Sequence, residues 1–104
     1  MDTRKRDPRI EHLFKAILTL NDLNDCYDLF NDLCTESELS EMSRRFWAAK
    51  LLSSGHVYAD IAEQTGLSTA TISRVNKCLK FGDGGYIRAL ESVAWMEKAE
   101  KNKR

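Results

Sequence analysis

A short run of small and apolar residues around Gly66 constrains the fold of this chain more than any other feature. Residues 58–79 have the sequence YADIAEQTGLSTATISRVNKCL. Gly66 can adopt the left-handed backbone conformation that reverses the chain, and Ser68 is a favourable N-cap for a second helix. Ala62 precedes Gly66 by about one helical turn, where steeply crossing helices leave little room for a larger side chain. The pattern predicts two short helices joined by a tight turn.

The second predicted helix has an apolar inner face and an outer face without acidic residues. Leu67, Ile72 and Val75 are predicted to fill the angle between the helices, and Leu79 extends this face. The outer face is small, polar or basic and contains no carboxylate. This arrangement is typical of a helix-turn-helix over residues 58–80, whose second helix enters the DNA major groove. A purely structural helical hairpin is the alternative.

Because an acid-free face can approach a polyanion closely, we expect the second helix to bind double-stranded DNA. The predicted contacts lie at its start and along its outer face: Ser68, Thr69, Ala70, Thr71, Ser73, Arg74, Lys77 and Lys80. Thr69, Ala70 and Ser73 are predicted to approach base edges, while the three basic residues contact phosphate or base. Ser68 and Thr71 are predicted to contact the DNA backbone through hydroxyl groups or helix-terminal amides.

The charge distribution supports this prediction although the formal net charge is zero. Residues 1–43 carry a net charge of −5, residues 44–80 of +4 and residues 81–104 of +1. The positive segment contains the predicted recognition helix. A protein that is neutral overall can therefore present one basic surface to DNA.

Helical periodicity predicts an all-α fold of six helices, with a single domain over residues 7–100. The first predicted helix begins at Asp7-Pro8 and continues to about Leu23, and the second ends at Leu33. A capping box over residues 35–38 begins the third helix, which ends near Gly55. The helix-turn-helix follows, and the last helix begins at Tyr86.

The two ends of the chain are predicted to lie outside this domain. Residues 1–6 are a predicted flexible arm, and residues 101–104 are a predicted charged tail. The basic run over residues 4–6 either reaches phosphate as an arm or remains a solvated terminus, and the solvated terminus is preferred.

Other functional classes find little support in the sequence. The three cysteines, at positions 26, 34 and 78, form no CxxC pair and no metal-ligand spacing with histidine, which predicts buried or partly buried reduced thiols. No membrane span or signal segment is evident, so a cytoplasmic protein without membrane partners is expected. No nucleophile–base pair or phosphate-binding loop stands out, and an enzyme is not predicted.

Two segments, TESELSEMSRRFWAAKLLSSG and YADIAEQTGLSTATISRVNKCLKFG, resemble the Trp repressor superfamily, in particular its YerC/YecD group of small bacterial proteins. The resemblance covers residues 10–100. It implies an intertwined all-helical homodimer, in which the first three helices and the last form a shared core. The implied activity is transcriptional regulation by repression. Apolar faces that are wide for so small a chain independently favour a two-fold dimer.

The resemblance also implies a small-molecule corepressor between the third helix and the recognition helix, held by Thr35, Arg45 and Arg74. Two departures argue against tryptophan as this effector. Val75 replaces a glycine and fills space near the indole, and Cys78 replaces a serine with a poorer hydrogen-bonding group. The two arginines can instead hold another carboxylate or face phosphate, and no bound cofactor is predicted.

The favoured interpretation is a homodimeric DNA-binding repressor. The alternative is a helical protein-interaction module without DNA binding, for which the acidic second helix supplies the charge. A further alternative assigns the same DNA-binding unit to replication or transposition. Steep salt dependence of duplex binding separates the DNA-binding interpretations from the interaction module.

Overall fold

The computed structural model describes residues 6–103 and contains, within that range, six α-helices and no strand. The helices are α1 (Pro8–Ile17), α2 (Leu23–Leu33), α3 (Glu36–Ser53), α4 (Tyr58–Thr65), α5 (Thr69–Phe81) and α6 (Gly85–Lys101). The predicted all-α class and six-helix plan are confirmed. The arm prediction for residues 1–5 and the tail prediction for Arg104 lie outside the described residues.

The chain forms two compact units, the first ending at Leu39 and the second beginning at Ser40. The single domain predicted for residues 7–100 stays a prediction. No helix among residues 6–103 combines the length and apolar character needed to cross a membrane.

In the first unit, α1 is shorter than the sequence pattern predicts. The next helix, α2, already begins at Leu23, where the first helix is predicted to end. Helix α1 ends at Ile17, and the predicted extension to Leu23 is wrong. Asp22 caps α2 by accepting a hydrogen bond from the Asp25 amide at 2.9 Å, and the Asn21 amide donates to the Asp25 carboxylate at 3.0 Å. Asp side chains favour such local bonds with backbone amides, and these bonds start a new helix after Asp22.

The predicted capping box at the start of α3 is present. The Thr35 amide donates to Oε1 of Glu38 at 2.9 Å, and the Glu38 amide donates to Oγ1 of Thr35 at 3.1 Å. The hydrogen bonds with Thr35, that of its backbone first and that of its side chain second, lower the pKa of Glu38 from its ordinary value. The charged form of Glu38 is therefore the one that the fold stabilises.

This capping box gives a pH-dependent contribution to stability. Because the folded-state pKa of Glu38 is lowered, its contribution is complete above the ordinary glutamate pKa of about 4.3 and is lost as the pH falls through the lowered value. We expect Glu38→Gln to reduce the pH dependence of the unfolding free energy below that pH, measured by urea unfolding. Glu36→Gln, at a neighbouring exposed acid, is the control, and an equal reduction in both variants contradicts the assignment.

The core of the second unit joins α3 to the helix-turn-helix. Its buried apolar cluster combines α3, α4, the turn and α5: Ala48, Leu51, Ile61, Leu67 and Ile72. Leu52, Tyr58 and Ala62 pack against this cluster from its edges. Small residues on α3 allow close approach, and the aliphatic side chains of α4 and α5 fill the space above them. The helix-turn-helix is thus seated on α3.

Large apolar side chains remain exposed along α1, α2 and α6, none of which contains a buried residue. Leu18 is 83% exposed and Leu23 75% exposed in the first unit, and Trp95 is 75% exposed in α6. Exposed apolar surface of this extent is typical of a chain that buries it against a partner.

Candidate nucleic-acid interface

The turn between α4 and α5 has the geometry predicted from Gly66. Gly66 lies in the left-handed region, with φ 72° and ψ 6°, and its amide donates to the Ala62 carbonyl at 2.8 Å. A side chain is strained in this conformation, so the position favours glycine. Leu67 follows and is buried, which turns the chain into the core before α5 begins. The predicted roles of Gly66 and Leu67 are confirmed.

Thr65 stabilises the same turn, and the sequence analysis missed it. Its side chain is buried, and its hydroxyl donates to the Ile61 carbonyl at 2.7 Å and accepts from the Leu67 amide at 3.2 Å. These bonds satisfy polar groups that would otherwise be buried without partners. A threonine directly before the turn glycine is the only local signal, and it is weak because threonine also occurs on helix surfaces.

Removing the Thr65 hydroxyl is expected to destabilise the turn. We expect Thr65→Val, which keeps the shape, to lower the unfolding free energy by about 1–3 kcal/mol because the Leu67 amide loses its partner. Urea unfolding followed by far-ultraviolet circular dichroism measures this loss. Thr65→Ser retains the hydroxyl and serves as the matched control. No loss in Thr65→Val, or a larger loss in Thr65→Ser than in Thr65→Val, contradicts the assignment of this stability to the hydroxyl.

The outer face of α5 is exposed over most of the predicted contact set. The exposed members are Ser68, Thr69, Ala70, Ser73, Arg74, Lys77 and Lys80, whereas Thr71 is half-buried. Ser68 is the N-cap: its Oγ accepts from the Thr71 amide at 3.1 Å and donates to Oγ1 of Thr71 at 3.0 Å. The Ser68 hydroxyl donor is therefore already used, so the amides at the start of α5 are the more available donors to phosphate.

The electrostatic character of this face follows from the residue types on α5. Its outer surface carries Arg74, Lys77 and Lys80, and the helix contains no acidic residue. The adjoining α4 carries the exposed acids Asp60 and Glu63. Its exposed Ala59 carries no charge. Positive charge is thus concentrated on α5.

A cleft of about 360 Å³ lies between α3, α5 and α6. It is lined by Glu41, Met42, Arg45, Phe46, Thr71, Arg74, Val75, Cys78 and Tyr86. The rings of Phe46 and Tyr86 have centroids 6.2 Å apart in its wall. Its volume is within the range of small-molecule sites, and it combines apolar walls with two guanidinium groups.

Three of the residues implied as an effector site line this one cleft: Arg45, Arg74 and Cys78. The fourth, Thr35, belongs to the first unit and takes part in the capping box of α3. Cys26 and Cys34 are half-buried as predicted, but Cys78 is exposed, so the prediction of burial is wrong for this thiol. Val75 is buried and lines the same cleft as Arg74.

The family model for the Trp repressor protein matches residues 9–94, most of the chain. The chain belongs to the Trp repressor family. It is 42% identical over 98 residues to the uncharacterized protein YerC of Bacillus subtilis (strain 168), with 94% of each chain covered. The resemblance stated from the sequence is confirmed. The Trp repressor family is regulatory, and membership supports a DNA-binding regulator as the broad class of function.

Two solved structures resemble the Trp repressor fold of this chain closely. A TrpR-like protein from Eubacterium eligens superposes with a TM-score of 0.82 and 49% identity, covering 86% of this chain and 92% of that chain. A candidate Trp repressor from Staphylococcus aureus superposes with a TM-score of 0.81 and 42% identity, covering 86% of this chain and 89% of that chain.

Proposed function

We propose that this Trp repressor family protein is a sequence-specific transcriptional repressor that binds double-stranded DNA as a homodimer. The observation that carries the proposal is the exposed, acid-free outer face of α5, held on a helix-turn-helix. Such a helix fits the major groove, and its basic residues are suited to contact phosphate.

Within this proposal the residues of α5 have different tasks. Thr69, Ala70 and Ser73 approach base edges, because their side chains are small enough for close contact. The basic residues Arg74, Lys77 and Lys80 contact phosphate or base, while the N-terminus of α5, with Ser68 and Thr71, contacts the DNA backbone. Phosphate contacts supply affinity for every sequence, and base contacts supply preference among sequences.

Two apolar features support the homodimer. Large apolar side chains are exposed on α1, α2 and α6, as described above. In the second unit, a mainly apolar groove of about 400 Å³ lies between α3 and α6, and Lys50 Nζ lies 4.4 Å from the centroid of the exposed Trp47 ring in its wall. A second copy that covers these surfaces removes apolar area from water. Two-fold symmetry then presents two recognition helices to major grooves about 34 Å apart.

Selection of bound fragments from genomic DNA tests the proposal. We expect purified protein to enrich duplexes with two related half-sites, and its affinity to fall steeply as the salt concentration rises. Sedimentation equilibrium is expected to give twice the mass of one chain. Salt-insensitive capture of a protein with no retained duplex favours the interaction module instead, and enrichment of one asymmetric site by a monomer contradicts the dimer.

We further propose that the cleft between α3, α5 and α6 binds a small effector through Arg45 and Arg74. Two guanidinium groups from different helices favour a carboxylate, because each can donate paired hydrogen bonds. Val75 reduces the space for an indole, and Cys78 is a poor hydrogen-bonding group for an ammonium. A carboxylate smaller than tryptophan therefore suits the cleft better.

The effector proposal predicts weak binding of tryptophan. Titration calorimetry with amino acids and short carboxylates is expected to show tryptophan at least about tenfold weaker than the best small carboxylate, since the indole lacks space. Val75→Gly is expected to narrow this difference by enlarging the cleft, and Arg45→Met is expected to weaken every carboxylate. Tight tryptophan binding by the unaltered protein contradicts the prediction.

A further inference from the structure

Arg44 and Arg45 are adjacent on α3 but have different surroundings. Arg45 lines the cleft, whereas the Arg44 guanidinium reaches the turn of the helix-turn-helix. Nη1 of Arg44 lies 3.5 Å from the Thr65 carbonyl oxygen, and Nη2 lies 3.2 Å from Oε2 of Glu41. Nε donates to the Ser40 carbonyl at 3.4 Å. Arg44 therefore joins α3 to the C-terminal end of α4.

The Thr65 carbonyl is a favourable acceptor for a cation. Thr65 is the last residue of α4, and the final carbonyl groups of a helix lack intrahelical partners and carry partial negative charge. A guanidinium is planar and donates in fixed directions, so it restrains orientation as well as distance. The Glu41 carboxylate pairs with Nη2, the other terminal nitrogen of the Arg44 guanidinium, and this limits the rotamers available to the arginine. A lysine has one nitrogen and cannot reproduce this geometry.

The apolar core alone restrains the same helices less specifically. Ala48 on α3 and Ile61 on α4 are fully buried, but apolar contact is non-directional. It therefore opposes small rotations of one helix against the other only weakly. A directional hydrogen bond at the turn opposes such rotations. The recognition helix begins four residues after Thr65, so a rotation at the turn displaces the predicted base contacts directly.

We propose that Arg44 is a positioning residue for sequence-specific DNA recognition, which it supports by anchoring the Thr65 carbonyl to α3. The inference rests on the proposed DNA-binding function. Arg44 is half-buried, and its positioning role requires no contact between Arg44 and DNA. Loss of the Arg44 side chain allows the angle between α3 and the helix-turn-helix to vary more. Specific recognition then weakens, while the phosphate attraction of α5 remains.

Arg44→Met tests this role, with Arg88→Met on α6 as a control of equal charge change. The probes are a duplex selected from a random library by the unaltered protein and a scrambled duplex of equal length and composition. We expect Arg44→Met to weaken binding of the selected duplex about tenfold and of the scrambled duplex less than about twofold, since loss of one hydrogen bond from a charged donor has this magnitude. Arg88→Met is expected to change both by less than about twofold.

Two further variants keep the test informative if Arg44→Met fails to fold. Glu41→Gln removes the charge that orients Arg44 and is expected to reduce the ratio of selected to scrambled affinity, by less than Arg44→Met does. Arg44→Lys is expected to restore part of that ratio. Hydrogen exchange of the Gly66 and Leu67 amides is expected to be faster in Arg44→Lys than in the unaltered protein, and faster still in Arg44→Met. The exchange rates of amides in the middle of α6 are expected to be unchanged.

The outcomes separate this inference from the proposed function. If the unaltered protein selects no duplex, the proposed function fails. If it selects a duplex that Arg44→Met binds equally well, the positioning role is wrong and DNA binding stands. An equal loss for selected and scrambled duplexes identifies Arg44 as a phosphate contact and also overturns the positioning role.

Discussion

Replacing Ile72 by alanine is expected to lower the unfolding free energy by about 2–5 kcal/mol, because a buried isoleucine is removed and the cavity closes only in part. Ile72 is 0% exposed and lies in the cluster that joins α5 to α3. Its neighbours Ala48 and Ile61 are also fully buried, so little mobile surface is available to fill the space. Urea unfolding at several protein concentrations measures the loss and separates it from dissociation of a dimer.

Two controls accompany the Ile72 prediction. Ile72→Val keeps most of the volume and is expected to lose about 0.5–1.5 kcal/mol. Val57→Ala, at an exposed position beside α4, is expected to change the free energy by less than about 0.5 kcal/mol. A stability loss at Val57 as large as at Ile72 contradicts the view that this cluster seats the helix-turn-helix. Because Ile72 contacts no DNA in the proposal, residual folded protein is expected to retain its sequence preference.

Replacing both Lys77 and Lys80 by alanine is expected to weaken binding to every duplex by roughly 30-fold at 0.15 M salt, by loss of about two phosphate contacts. The slope of log affinity against log salt is expected to become shallower by about 2, since each phosphate contact contributes about 0.9. Both lysines are exposed on α5, and no ion pair joins them to an acid within residues 6–103. Fluorescence anisotropy at several salt concentrations measures affinity and slope together.

The matched control is Lys98→Ala with Lys101→Ala, which removes the same charge from α6. It is expected to leave the salt slope unchanged within about 0.5, because only contacts in the interface release counterions. Ser73→Ala provides the contrast: we expect it to change preference among sequences with little change in slope. A uniform loss on every sequence in the Ser73 variant contradicts its assignment to a base edge.

Much of the fold was predictable because its signals are local. The left-handed glycine, the N-cap serine and the capping box at Thr35 and Glu38 depend on residues within a single turn of chain. The spacing of Leu67, Ile72 and Val75 likewise identifies a buried face without knowledge of its partner. The same locality explains the error at Leu23, where the apolar residues of the segment outweighed the local capping bonds around Asp22 and Asp25.

The tertiary structure decided features in which residues distant in sequence meet. Arg44 and Arg45 are indistinguishable by residue type, yet one reaches the turn and the other lines the cleft, since neighbouring positions on a helix point in directions about 100° apart. The Thr65 hydroxyl bonds only to residues of the same turn, but its burial depends on how that turn packs. The sequence determined that the chain is helical and where its helix-turn-helix lies, because periodicity and caps are properties of short segments. Which polar groups hold that unit in place depended on three-dimensional packing, because a hydrogen bond requires two particular atoms to be close together and suitably oriented.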